Sequence, residues 1–195
     1  MDGEKLIQKA MDYVADLFRG DAGGHDAQHT MRVFRNAMAI AEQEECDRTV
    51  VALSALLHDA DDHKLFSTEN NANARKFLGE NGVSPQRTEE ICRTVNMVSF
   101  SRNRGKRPET AEGRIVQDAD RLDAIGAVGI ARTFAFGGAH GRDLDDSIQH
   151  FYDKLLLLKD EMNTEAGKRE AERRHRFLEM FLEEYREETK EKSGA

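Results

Sequence analysis

Three stretches of this chain gather imidazoles and carboxylates at spacings that could do chemistry: HDAQHTMRV at 25–33, LLHDADDHK at 56–64 and EGRIVQDADRLDAIGAVGIAR at 112–132. His29 is expected to project from the first turn of one helix. His58 and Asp59 are expected to end another, where adjacent side chains can still converge on a point outside the helix. With one more carboxylate they form a mixed nitrogen and oxygen donor set, suited to a borderline divalent cation with water in the open positions. The third stretch offers that carboxylate three times. Ile115, Ala119, Leu122 and Gly126 form its inward stripe, and Asp118, Asp120 and Asp123 all lie off the stripe's centre, so helical phase leaves the choice open. A lone histidine near a helix end is usually a cap or a surface group, and only the assembled set distinguishes His29 from that reading.

The elements that must position these groups read as helices. The chain has 195 residues and two prolines, Pro85 and Pro108, and no strand-like alternating run. Leu6, Ile7, Ala10, Met11, Val14, Leu17 and Phe18 recur at helical spacing before the stops Gly20, Gly23 and Gly24. Asp26 should cap a second helix carrying Val33, Ala37 and Ile40 inward, and a third covers about Arg48 to His58. After a polar loop over Asp61 to Phe66, a fourth helix ends at Asn81-Gly82. Ser84 and Pro85 open a fifth, reaching about Ser99. SRNRGKRPET reads as a basic loop. A long sixth helix is expected from Ala111 through Gly129, broken by glycines 137, 138 and 141. One more should run from about Asp145 to Asp160, and a last one from Thr164, with the charged sequence beyond Tyr185 solvated.

With 38% hydrophobic and 34% charged residues the composition is that of one soluble domain, and no apolar run approaches the roughly 18 residues a membrane span needs. A cytoplasmic protein is expected. Cys46 and Cys92 lack metal-knuckle spacing and read as packed thiols in a reducing compartment. The net charge of −8 disfavours general binding of nucleic acid, which would need a steep salt dependence.

The three segments in this order resemble the HD superfamily, whose pattern is a histidine, a later His-Asp pair and a distant aspartate. His29, His58-Asp59 and Asp120 match it. The likeness to small stand-alone bacterial HD-domain proteins extends through EGRIVQDADRLDAIGA and KLLLLKDEMNTEAGKREAERRHRFLEMFLEEY, over Asp2 to Tyr185. It implies an all-α, single-domain helical bundle over 1–187 with a solvated tail at 188–195. In the family pattern the distant ligand stands two residues before the leucine of an Asp-x-Leu unit, which selects Asp120. The resemblance thus implies one divalent ion (Mn, Fe, Co, Ni or Mg) held by His29, His58, Asp59 and Asp120, and hydrolysis of a phosphate ester or anhydride. Relatives that bind more metals add histidines before the last aspartate, where this chain has only His63.

The resemblance also implies a small phosphorylated, nucleotide-like substrate, with a nucleoside triphosphate cut between the α and β phosphates. A phosphomonoesterase of the 5′-nucleotidase type is the alternative. Asp62 falls where HD nucleotide hydrolases often place an acid that acts through water, as base or proton shuttle, although solvated acids are also common just past a helix. Arg32, Lys64, Arg102 and Arg104, with Lys106 and Arg107, are the candidate phosphate contacts. No glycine-rich phosphate loop is present. Two rivals come from other classes: a sensory module that binds metal and nucleotide without turnover, and a homodimer through the last two helices with a structural zinc.

Overall fold

Every residue from Val50 to Leu57 is buried, which marks the helix that carries them as the one surrounded by others. The computed structural model describes residues 3–19, 27–63 and 65–190. Its helices are α1 (Gly3–Leu17), α2 (Ala27–Ala41), α3 (Arg48–Leu57), α4 (Ala72–Glu80), α5 (Pro85–Asn96), α6 (Phe100–Asn103), α7 (Ala111–Asp123), α8 (Gly126–Ala139), α9 (Leu144–Asp153) and α10 (Glu165–Thr189), with a 3-10 helix over Leu155–Glu161. No strand occurs among the described residues, and none of their helices is long and apolar enough to cross a membrane. The central helix α3 packs against α1, α2, α5 and α7.

Two apolar clusters meet across α3. One joins α1 and α3 to α5 through Leu6, Val14, Leu53, Leu56 and Ile91. The other joins α2 and α7 to α9 and α10 through Val33, Ile115, Leu122, Phe151 and Leu178. The α2, α3 and α7 packing brings the three chemistry-bearing segments to one place.

Caps set the helix starts. Ser84 Oγ accepts from Arg87 N at 3.3 Å with Pro85 in the first turn, and Thr164 Oγ1 accepts from Gly167 N at 3.0 Å. Asp47, Thr110 and Asp143 cap α3, α7 and α9 in the same way, which the apolar periodicity did not single out. The expected stops Gly20, Gly23 and Gly24, the Asp26 cap and Lys64 lie outside the described residues.

The single long helix expected after Ala111 is two. It breaks at Ala124 and Ile125, and Gly126 takes φ 75°, a conformation costly for any residue with a Cβ. Arg174 enforces the break: its Nη1 donates to Leu122 O at 2.6 Å, taking a last-turn carbonyl, and its side chain stands 3.1 Å from where a Cβ on Gly126 would lie. Gly137 and Gly138, expected as breakers, sit inside α8. The helix expected over 145–160 is also divided, because Lys154 leaves helical geometry (φ −141°, ψ −58°) and the chain continues as a 3-10 helix. The basic loop begins as a short helical turn, α6, and α10 stays helical through Thr189 with its last residues exposed.

Candidate metal centre

His29 sits in the first turn of α2 and is 3% exposed; His58 directly follows α3. Each ring has one nitrogen engaged away from the other. His58 Nδ1 lies 2.8 Å from Ala55 O, and His29 Nδ1 lies 2.7 Å from Asp123 Oδ2. A carbonyl and a carboxylate only accept, so both Nδ1 atoms carry the proton and both Nε2 atoms present lone pairs inward. These two Nε2 atoms stand 3.3 Å apart, a contact that only a proton or a cation between them makes favourable.

The carboxylates close around that point. Asp59 Oδ2 lies 3.5 Å from His29 Nε2 and 3.3 Å from His58 Nε2, while Asp120 Oδ1 lies 3.5 and 4.0 Å from the same atoms. An octahedral cation with bonds of about 2.1 Å holds its ligands roughly 3.0 to 4.2 Å apart, so the spacing fits a small divalent ion. His29, His58 and Asp120 can each offer a ligand atom within 4.8 Å of the others, and Asp59 Oδ2 stands as close to both imidazoles. In the cation-free cluster burial opposes charge on His58, but Asp59 and Asp120 outweigh it and lift its pKa to about 9. The cluster therefore takes up positive charge in one form or another.

The three acids of the third segment have separate tasks. Asp120 reaches the cluster. Asp118 faces the opposite way and binds the turn before α10 through Asn163 and Thr164. Asp123, 1% exposed, accepts from His29 Nδ1 at 2.7 Å, from Arg32 Nε and Nη2 at 2.7 and 3.1 Å, and from Arg132 Nη1 at 2.5 Å. Burial opposes its charge, but these donors hold its carboxyl well below the usual carboxylate range. Asp123 thus orients the His29 ring. Asp123→Ala is expected to weaken Mn²⁺ binding by about 10- to 100-fold, as loss of a carboxylate behind a histidine ligand usually does. Calorimetric titration with Mn²⁺ checks this, and an unchanged Kd rejects the orienting role.

A cavity of about 760 Å³ opens over the cluster, within the size range of small-molecule sites. Asp62 lines it, with its side chain 18% exposed. Asp61 is committed elsewhere, accepting from Asn73 N and Ala74 N at 2.9 and 3.0 Å at the start of α4. Arg32 borders the cavity, but its guanidinium is taken up in the two bonds to Asp123. Of the basic loop's four cations only Arg102 lines the cavity, 3.1 Å from His63 Nδ1. Arg104 lies over the Phe100 ring and Arg107 donates to Asn163 O at 3.0 Å, and neither of them lines the cavity. Sequence reasoning weighed Asp123 only as a rival ligand and did not single out Arg132, Arg142, His150 or Lys154. A signal existed for the first: Asp123 lies three residues after Asp120, one turn along the same helix.

The model of the HD domain family matches residues 26–125, which hold the whole donor cluster. The Bacillus subtilis protein YpgQ is 40% identical over 187 residues, covering 91% of each chain. This chain belongs to the HD-domain family. Among solved structures, that of B. subtilis YpgQ in complex with ADP superposes with a TM-score of 0.81 at 34% identity, over 94% of this chain and 97% of that one. An HD-superfamily hydrolase from Bacillus thuringiensis gives 0.79 at 41% identity, over 95% and 97%.

Proposed function

We propose that this HD-superfamily hydrolase is a metal-dependent phosphohydrolase that cuts nucleoside triphosphates to the monophosphate and pyrophosphate. The observation that carries the reading is the convergence of His29, His58, Asp59 and Asp120 on one point at the floor of a cavity large enough for a nucleotide. Support for a nucleotide comes from the structural neighbour crystallised with ADP. A divalent cation held by those four groups supplies Lewis-acid stabilisation of phosphoryl charge and lowers the pKa of a water near it.

The chain's own groups do the rest. Asp62 borders the same space and accepts a proton from the attacking water. As the water oxygen bonds to the α phosphorus, the bond from that phosphorus to the bridging oxygen breaks and its electron pair leaves with pyrophosphate. Arg102, at the rim beside His63, faces the phosphates. Asp62→Asn should therefore lower kcat while leaving Mn²⁺ affinity within about twofold, a split that calorimetry and steady-state rates resolve.

Hydrolysis of a triphosphate in ¹⁸O-labelled water with Mn²⁺ tests the bond that is cut. Label is expected in the nucleoside monophosphate and not in pyrophosphate. Release of labelled inorganic phosphate would reject attack at the α phosphorus, and hydrolysis of the monophosphate instead of the triphosphate would favour the phosphomonoesterase reading.

A further inference from the structure

The side of the cavity formed after α8 carries a cation cluster that the donor site does not use. His150 lies in the last turn of α9, Lys154 directly follows that helix four residues on, and Arg142 lies in the turn between α8 and α9. All three line the cavity. They also share one electrostatic field. Burial, then Lys154, then Arg142 push the His150 pKa below its ordinary value, and Asp153 acts the other way.

Aromatic rings hold two of these cations in place. Lys154 Nζ stands 4.9 Å from the Phe100 ring centroid, and the Arg142 guanidinium 5.1 Å from that of Phe136. Such packing fixes the stems and keeps two positive charges at this wall. The break at Lys154 matters here too, because leaving the helix brings the chain from α9 into the 3-10 helix at the cavity wall. Two permanent cations and a histidine lining one cavity favour a polyanion; the cavity's carboxylates come from other segments, Asp59, Asp61 and Asp62 after α3 and Asp120 on α7.

We propose that Arg142, His150 and Lys154 form the seat of the terminal diphosphate of a nucleoside triphosphate, so that this wall selects triphosphates and Arg102 is the basic loop's contribution at the rim. The assignment rests on the triphosphate reading above. With the α phosphorus over the donor cluster, the β and γ phosphates reach toward this wall. Negative charge gathers on the β-phosphate oxygens as the bridging bond breaks, and cations placed there act on the leaving group.

The test is calorimetric titration of the full chain with inorganic pyrophosphate in the absence of divalent metal. Wild type is expected to bind; Arg142→Ala/Lys154→Ala should weaken binding at least about tenfold, Lys154→Arg should retain most of it, and Arg104→Ala should match wild type. Circular dichroism checks that the variants stay helical, and Arg142→Gln alone provides a milder probe. The double variant should also raise KM for a triphosphate about tenfold, with little change in inhibition by the monophosphate product. Failure of wild type to bind pyrophosphate, or equal binding by wild type and the double variant, overturns the seat even if triphosphates are cleaved. Labelled inorganic phosphate in the ¹⁸O experiment overturns the triphosphate reading even if the cluster binds pyrophosphate.

Discussion

Asp120→Ala is expected to strip divalent metal from the protein and lower turnover by at least about a thousandfold, near 4 kcal/mol of transition-state stabilisation. The fold should survive. The Asp120 side chain is 23% exposed and opens toward the cavity, so its loss leaves no buried amide without a partner. His58→Ala should behave alike in metal content, because it removes one of the two inward lone pairs, and Ala55 O is the terminal-turn carbonyl it leaves behind. Elemental analysis of purified protein reads bound metal, and turnover with added Mn²⁺ reads activity. Stoichiometric metal together with a wild-type rate in the Asp120 variant would remove that residue from the donor set.

Much of this site was legible because its parts are local. Whether His29 starts a helix, and whether His58-Asp59 ends one, depends on apolar spacing and turn signals within about ten residues, and the structure agrees on both. The choice of Asp120 was a different matter. Asp118, Asp120 and Asp123 all lie off the centre of the apolar stripe, and their tasks depend on what lies beyond α7: the donor cluster for one, the α10 turn for another and α2 for the third. Helical phase cannot report that, and the family pattern supplied it.

What the sequence concealed depends on pairs far apart in the chain. Arg132 reaches Asp123 and His29 only because the chain turns at Gly126, and a continuous helix from Ala111 would have carried it elsewhere. The turn depends in turn on Arg174, 48 residues after Gly126, entering the space left by the missing Cβ. The basic loop is ambiguous for the complementary reason. Four cations in six residues advertise a phosphate clamp, but cations are also hydrogen-bond donors and ring partners, and Arg104 and Arg107 have such partners while Arg102 lines the cavity. The cations at the cavity wall are dispersed over Arg142, His150 and Lys154, where no local cluster announces them.

Asp118→Ala should produce the largest loss of stability of any single change in the third segment, about 3–5 kcal/mol in urea unfolding, without emptying the metal site of the protein that remains folded. The carboxylate is fully buried and accepts from Asn163 N, Asn163 Nδ2, Thr164 N and Thr164 Oγ1, each at 2.8 Å. Thr164 Oγ1 is also the cap of α10, so one side chain ties α7 to the start of the longest helix. Gly167 completes the fit: a Cβ there would come within 2.4 Å of Asp118 Oδ2, and only glycine leaves the carboxylate its place. Truncation to alanine strands two buried backbone N–H groups, each costing about 1–3 kcal/mol, and leaves a void beside them. Asp118→Asn does not rescue, because its amide turns donors toward donors. A loss below about 1 kcal/mol for the alanine variant would show that water satisfies the turn, and loss of Mn²⁺ from folded protein would transfer Asp118 to the metal site.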